Sequence, residues 1–538
     1  MKRILLFYLF VCSSVCFSQT IISGGNVSGN WNLEGAPYII TGNILVPNGE
    51  TLSIDPGVRV EFEGHYKLFC NGSILAIGEE SQNIVFTTTD ANVDGWLGIR
   101  YEDTPSSNET SKFEYCIIEK GKTNQFSVDT QGGAFFIKNF SKVEIRKSIL
   151  RYNHAQSGAG AIYLENSNVI IEQNNIYDNT SVNGYSGIEA RDSDDLSILE
   201  NTFNNCTNGF YNSTANISNN TFDNSPIYGF VECDLFIEGN IFENINNDDN
   251  ENVGGISFIN SKGTIVNNIF RNNNVGLSNI RIDGYNNTAP LSYLINNLFY
   301  SNQSTYNAGV IRLKNNHSYL YNNTIVDNNT FAVYCEENSD PTIINSIIYG
   351  NSRDGQVLSI YLSHNESDPV IKYSDVQNGT NGIDSNGNPY TGEYLNNLDI
   401  EPLFANQNNS DYSLNSNSSL INAGDPTFNN TTIPYNDLAG NSRFIENIID
   451  IGAYEAQLLN LNEYGEKGTI SFYPNPVSDN IIFAKTINSI SIYNLAGEKV
   501  FYSNERMKKF SVSHLSSGIY IMNVTTSQGQ FTKKIIKM

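Results

Sequence analysis

Over most of this chain, short apolar runs alternate with polar positions at a period of two, not the 3.6 of an α-helix. Asn, Asp and Gly break the runs as turns do. One phrase recurs: Asn, a small or aliphatic residue, then Phe, Tyr or Ile, a variable residue and often Asn. It reads Asn175-Ile176-Tyr177, Asn201-Thr202-Phe203, Asn220-Thr221-Phe222, Asn240-Ile241-Phe242, Asn268-Ile269-Phe270, Asn297-Leu298-Phe299 and Asn323-Thr324-Ile325, with weaker copies from Tyr115, Lys147 and Asn345. The copies are 19 to 32 residues apart. A repeat of this length with uneven steps predicts a solenoid whose loops vary in length. Short strands would stack from rung to rung about 4.8 Å apart. The recurrent Phe or Ile would form an internal ladder. The recurrent Asn suits a sharp corner, because it tolerates left-handed backbone, and its side chain can bond to the next rung.

A second strand precedes each phrase, at residues 133–138, 160–165, 186–191, 255–260, 278–283, 309–314 and 331–336. Aligned on their first residues, these strands predict two inward columns. One is Phe135, Ile162, Ile188, Ser257, Ile280, Ile311 and Val333; the other is Ile137, Leu164, Ala190, Ile259, Ile282, Leu313 and Cys335. The outward columns are then Phe136, Tyr163, Glu189, Phe258, Arg281, Arg312 and Tyr334, and Lys138, Glu165, Arg191, Asn260, Asp283, Lys314 and Glu336. The short rungs near Gly209 and Gly229 do not align unambiguously.

From about residue 50 to 378 the chain resembles the right-handed parallel β-helix superfamily. Its Gly-Gly-Ala and Asn-x-Phe-x-Asn phrases are similar to repeats of bacterial surface β-helices of the polymorphic outer-membrane type. The superfamily spans polysaccharide lyases, hydrolases, adhesins and inert stalks, so the resemblance implies a fold more than an activity. Leu52 to Phe62, Gly72 to Gly78 and Gly95 to Ile99 resemble the opening rungs of secreted β-helices. Glu401-Pro-Leu-Phe404, Leu420-Ile-Asn-Ala-Gly-Asp425, Asp437 to Arg443 and Asp450-Ile-Gly-Ala-Tyr-Glu455 closely resemble the choice-of-anchor module, which implies a segment that finishes the solenoid.

The last stretch differs. Phe472-Tyr-Pro-Asn-Pro-Val-Ser-Asp479, Ile490-Ser-Ile-Tyr-Asn-Leu-Ala-Gly497, Leu515 to Val524 and the basic Lys533-Lys-Ile-Ile-Lys-Met538 read as a small immunoglobulin-like β-sandwich of alternating strands and tight turns. In that order and at that end they resemble the type A sorting domain of the type IX secretion system. The resemblance implies a Bacteroidetes-type source, export by the type IX machinery and its sortase, removal of the domain, and release or attachment to lipopolysaccharide. The expected organisation is therefore all-β: signal peptide 1–18; N-terminal cap and first rungs 19–110; parallel β-helix 111–378; choice-of-anchor type module 379–456; linker 457–469; sorting domain 470–538.

Charge agrees with two modules. The chain carries a formal net charge of −25, yet its last stretch is basic. An acidic body with no basic stripe excludes nucleic acid as a partner. Lys2-Arg3, the apolar run Ile4 to Val15 and Cys16-Phe17-Ser18 read as a cleaved signal peptide, and the mature chain contains no run long enough to span a membrane. The five remaining cysteines, Cys70, Cys116, Cys206, Cys233 and Cys335, are odd in number and far apart, which predicts buried small hydrophobes rather than disulfides or zinc ligands. The implied location is secreted or cell-surface.

Candidate chemistry sits on the outward columns of the second strand. Arg281, Asp283, Arg312 and Lys314 fall on adjacent rungs, where a base and a neutralising cation would serve a lyase acting on an acidic polysaccharide. The same residues also read as surface cross-strand pairs. Tyr163, Phe258 and Tyr334 are the candidate glycan-binding aromatics. No cofactor is expected, although Asp425, Asp437 and Asp450 offer oxygen ligands for a structural calcium. The five histidines form no cluster, and zincin, nucleophile-elbow and phosphate-loop signatures are missing. The leading expectation is a non-catalytic glycan binder, adhesin or display protein; the alternative is a polysaccharide lyase or glycosidase.

Overall fold

The computed structural model describes residues 19–124, 129–247, 253–284, 290–306, 308–429, 433–444, 448–456, 472–494, 497–526 and 529–538. The expected signal peptide and linker lie outside the described residues. The chain divides into two compact units, Met1–Ala456 and Gln457–Met538. No α-helix occurs among the described residues, and none of their segments is a helix long and apolar enough to cross a membrane.

In the first unit the chain winds through three parallel sheets of 15 strands each. The first sheet runs from Thr20–Ile22 to Asp375–Val376, the second from Gly25–Asn26 to Ile383–Asp384, and the third from Gly29–Trp31 to Tyr394–Leu395. Among the described residues the coils begin at Thr20, within the segment expected to hold the N-terminal cap and first rungs. Alternation sets the interior. Phe203, Phe222, Phe242, Phe270 and Phe299 all face inward and stack in a continuous column, with ring centroids 4.9, 4.8, 4.7 and 4.6 Å apart. These spacings are the strand separation itself, so the backbone ladder holds the rings at stacking distance. The five cysteines are buried and free.

The corner between the third and first sheets explains the recurrent Asn, with one refinement. The left-handed residue is the one before it: Glu200, Asn219, Asn267, Asn296 and Asn322 have φ near +55°. The recurrent Asn turns inward instead. Nδ2 of Asn201 donates to Oδ1 of Asn220 (3.0 Å) and to the carbonyl of Ile171 (2.8 Å). The pattern repeats through Asn240, Asn268, Asn297 and Asn323. The member of the ladder in the first full phrase is Asn174, not Asn175, which pairs with Thr202 in the strand. A second ladder, Asn273–Asn302–Asn328–Asn351, lines the next corner. Each amide nitrogen within these ladders is thereby satisfied, where an orphan would cost about 1–3 kcal/mol.

One rung departs from the expected register. Ile256 pairs with Ile280 and Phe258 with Ile282, so Ile256 and Phe258 face inward while Ser257 and Ile259 face outward. Phe258 is fully buried. Its ring uses the space left by Gly229 on the preceding rung, where a Cβ would lie 2.8 Å from it. Slipping by one residue swaps the two faces of a strand, so Phe258 is removed from the outward column and Asn260 gives way to Ile259.

The segment from 379 onward supplies the last strands of the second and third sheets, with Tyr390 and Tyr394 packed against the solenoid core, and then returns along the flank. A hairpin, Phe404–Asn406 with Asp411–Leu414, lays Tyr412 against Tyr300 of the first sheet (5.1 Å). Phe428, Ile433 and Ile449 pack on Val266, Ile295 and Ile344 of the third. Gly452 lies against Ile347, and its carbonyl and that of Asp450 accept from Asn322. The outer surface of the late rungs is apolar enough to need this cover.

The second unit contains two antiparallel sheets. One joins Phe472–Tyr473, Asn480–Ile487 and Met507–Ser511; the other joins Lys499–Ser503, Ser489–Tyr493, Gly518–Thr526 and Gly529–Lys537. Val477, Ile481, Ile490, Ile492, Met522, Val524 and Ile535 form its core.

Candidate functional site

The outer face of the second sheet carries the expected site residues in three zones. At the early rungs, the Phe136 and Tyr163 rings stack at 5.5 Å, with the Arg100 guanidinium 5.6 Å from Phe136. Tyr163 is not exposed as expected: it is 2% accessible and lies against Gly158. Burial, and then the carboxylate of Glu165, push its phenol up to about 12.

The middle zone was missed by alignment. Gly209 stands in the outward column between Glu189 and Tyr228. A side chain there would collide with the Tyr185 ring, so the glycine lets Tyr185 lie over the strand. The Tyr185 and Tyr211 hydroxyls are 3.1 Å apart; Tyr211 stacks on Phe230 at 5.1 Å, and Tyr185 sits 5.8 Å from Tyr228. Arg191 lies 4.2 Å over Tyr211 and pairs with the buried Glu189 at 2.6 Å. Burial outweighs Arg191 and leaves the Glu189 carboxyl raised. All four aromatic residues are half-buried. Gly209 was the available signal, since a vacant outward position leaves room for a ring over the strand.

In the late zone, Arg281, Asp283, Arg312 and Lys314 do come together. Arg281 and Arg312 are register partners, as are Asp283 and Lys314. Arg281 grips Asp283 Oδ2 at 2.6 Å, and Arg312 donates to Asp283 Oδ1 at 2.7 Å. Nε of Arg312 also donates to Glu336 at 2.9 Å, and Lys314 pairs with Glu337 at 2.9 Å and Glu336 at 3.4 Å. The hydrogen bond to Glu337 holds the Lys314 ammonium above its ordinary pKa. Three cations thus face three carboxylates, and Arg312 and Asp283 are buried. Beyond them Tyr334, half-buried, stacks on Tyr361 at 5.0 Å.

The expected calcium ligands lie in the returning segment. Asp425 accepts from Thr427, Asp437 from the backbone of Ala439, Asn441 and Glu455, and Asp450 from that of Asn422 and Ala456. Asp437 and Asp450 share their surroundings with Glu455 and the buried Arg443, and Asp425 holds its own turn. Burial first, and then the charge of Asp450, push the Glu455 carboxyl up to about 8. No group of three or more His, Cys, Asp or Glu among the described residues is arranged to hold a metal.

Comparison with known proteins separates the two units. Residues 133–289 match the family model for a right handed beta helix region, and residues 471–538 match that of the secretion system C-terminal sorting domain. No curated protein matches the sequence. Among solved structures, the receptor-binding protein of bacteriophage Det7, a podoviral tailspike in a myovirus, aligns at 11% identity over 91% of this chain and 95% of that one. Its TM-score of 0.19 is too low to bear on function. A sorting domain of this family is an export signal, and this chain is accordingly a secreted or cell-surface right-handed parallel β-helix that carries a type IX secretion system C-terminal sorting domain.

Proposed function

We propose that the exported protein is a non-catalytic glycan binder or surface-display protein, and that its binding face is the outer surface of the second sheet. The observation that carries this reading is the half-buried group Tyr185, Tyr211, Tyr228 and Phe230, with the Tyr185 ring lying over Gly209. Aromatic rings with a polar tip suit sugars, which present apolar C–H faces and hydroxyl edges. Arg191 beside them, held in place by the buried Glu189, supplies a fixed donor. The lyase alternative is less well supported. Its cations Arg281, Arg312 and Lys314 are each bound to a carboxylate of the protein. Neutralising a uronate would mean breaking those pairs first.

Affinity electrophoresis of the full chain through gels containing acidic and neutral polysaccharides tests the reading. Wild type should be retarded by at least one polymer, and Tyr211→Ala with Tyr228→Ala should restore free migration. Equal retardation of variant and wild type on every polymer would remove the second sheet as the binding face. Unsaturated products released by wild type, and lost in Arg281→Ala, would replace binding with lyase activity.

A further inference from the structure

The third sheet presents a different surface. Its outward residues Ser197, Asn216, Phe236, Thr264, Tyr293 and Tyr319 are register partners on six successive strands. None carries a carboxylate, ammonium or guanidinium. Phe236 and Tyr293 are the exposed large side chains, each 40% accessible, and the short Thr264 stands between them. Two strand spacings separate their backbones by roughly 10 Å. A ring lying between two aromatic side chains needs a carbon contact on each side, about 8 Å in all. The gap over Thr264 therefore has the width of one sugar ring. Tyr293 is held from its far side by Tyr319, stacked at 5.0 Å and 17°. Phe236 stacks on no other ring among the described residues.

On the other side of Phe236 the gap continues into a trough of about 560 Å³ that reaches back to Ser197. Thr214, Asn216 and Thr264 give it hydroxyl and amide groups. Its rim is acidic at Asp195 and Asp234, and the nearby Lys262 is paired with Asp234 at 2.8 Å. A uronate or sulfated polymer would find repulsion and no unpaired cation, on a chain whose formal net charge is −25. A neutral chain meets hydroxyls, an amide and apolar faces. The advance per strand is also close to that of one pyranose along a β-1,4-linked chain.

We propose that this strip of the third sheet is a second carbohydrate site, for a neutral, extended polysaccharide lying along the solenoid with one sugar ring over Thr264 between Phe236 and Tyr293. It shares the ligand class of the preceding reading and uses a separate face. The test is affinity electrophoresis of the full chain in hydroxyethylcellulose, galactomannan, xyloglucan and polygalacturonate, with sedimentation velocity alongside. Wild type should be retarded by at least one neutral polymer. Phe236→Ala and Tyr293→Ala should each weaken that retention by about tenfold or more, about 1.4 kcal/mol. Thr264→Phe, which fills the gap and removes no ring, should do the same, while Val93→Ala, an exposed apolar residue on an early loop outside both faces, should not. Loss with Tyr228→Ala but not Phe236→Ala would overturn this site and leave the second-sheet reading standing. No retention on any neutral polymer, retention on polygalacturonate alone, or self-association abolished by Phe236→Ala would also overturn it.

Discussion

The second and third sheets of this solenoid share one backbone, one pitch and one interior, yet their outer faces are built differently. On the second sheet, charged residues stand in adjacent columns. On its late rungs this brings Arg281, Asp283, Arg312 and Glu336 into mutual contact, so that part of the face is closed by its own ion pairs, while the aromatic group from Tyr185 to Phe230 stays half-exposed. On the third sheet, the corresponding column from Ser197 to Tyr319 carries no charge, and Phe236 and Tyr293 remain open to solvent. Strand stacking thus amplifies whatever stands in a column: charges become ladders that satisfy themselves, and uncharged aromatic positions become slots. The interior is indifferent to this choice, because alternation places it on the other side of every strand.

The comparison can be broken at its common support. Phe242 belongs to the stacked column beneath both faces. Phe242→Ala should destabilise the solenoid by about 3–5 kcal/mol, read from denaturant unfolding. A loss below about 1 kcal/mol would mean that the faces do not depend on a shared core.

Removing one cation from each face sharpens the contrast. Arg312→Ala takes one of two cations from each of Asp283 and Glu336 in a mostly buried site, leaving Arg281 and Lys314, and should cost about 2 kcal/mol. Lys262→Ala removes an exposed pair with Asp234, in which both side chains are 48% accessible, and should stay within about 0.5 kcal/mol. Comparable losses for the two variants would dissolve the distinction between a closed and an open face.

The smallest effect concerns pH and the segment that returns along the flank. Asp375, on the last strand of the first sheet, is fully buried; one carboxyl oxygen accepts from Ile400 and the other has no partner. Burial pushes its carboxyl up to about 7. An unfolded Asp titrates near about 3.9, so the folded state holds a proton that the unfolded state has released. The stability from this group is complete below about pH 4 and is lost as pH rises through about 7. Glu455 adds a loss of the same sign up to about pH 8. The melting temperature should therefore fall across this range. Asp375→Asn, which keeps the shape without the charge, should flatten the part of the slope below about pH 7. An unchanged slope in Asp375→Asn would assign the effect elsewhere.

The interior was legible in the sequence alone. Period-two alternation and the Asn-x-Phe phrase identify the parallel coils, the Phe203 to Phe299 column and an Asn ladder. The Pro-Asn-Pro and Tyr-Asn-Leu phrases identify the sorting domain. These features are local: they depend on spacing within a strand and on the residue types that corners tolerate. Only the tertiary structure decided the outer faces. Phe258 turned inward because Gly229, on another rung, left it room. Tyr163 was covered beside Gly158, and Tyr185 came to rest over Gly209. The segment around Asp450 settled along the flank, where apolar residues of late rungs awaited it. Exposure on a solenoid depends on the loops and rungs stacked beside a residue, at variable sequence distance, so no pattern within one repeat carries that information.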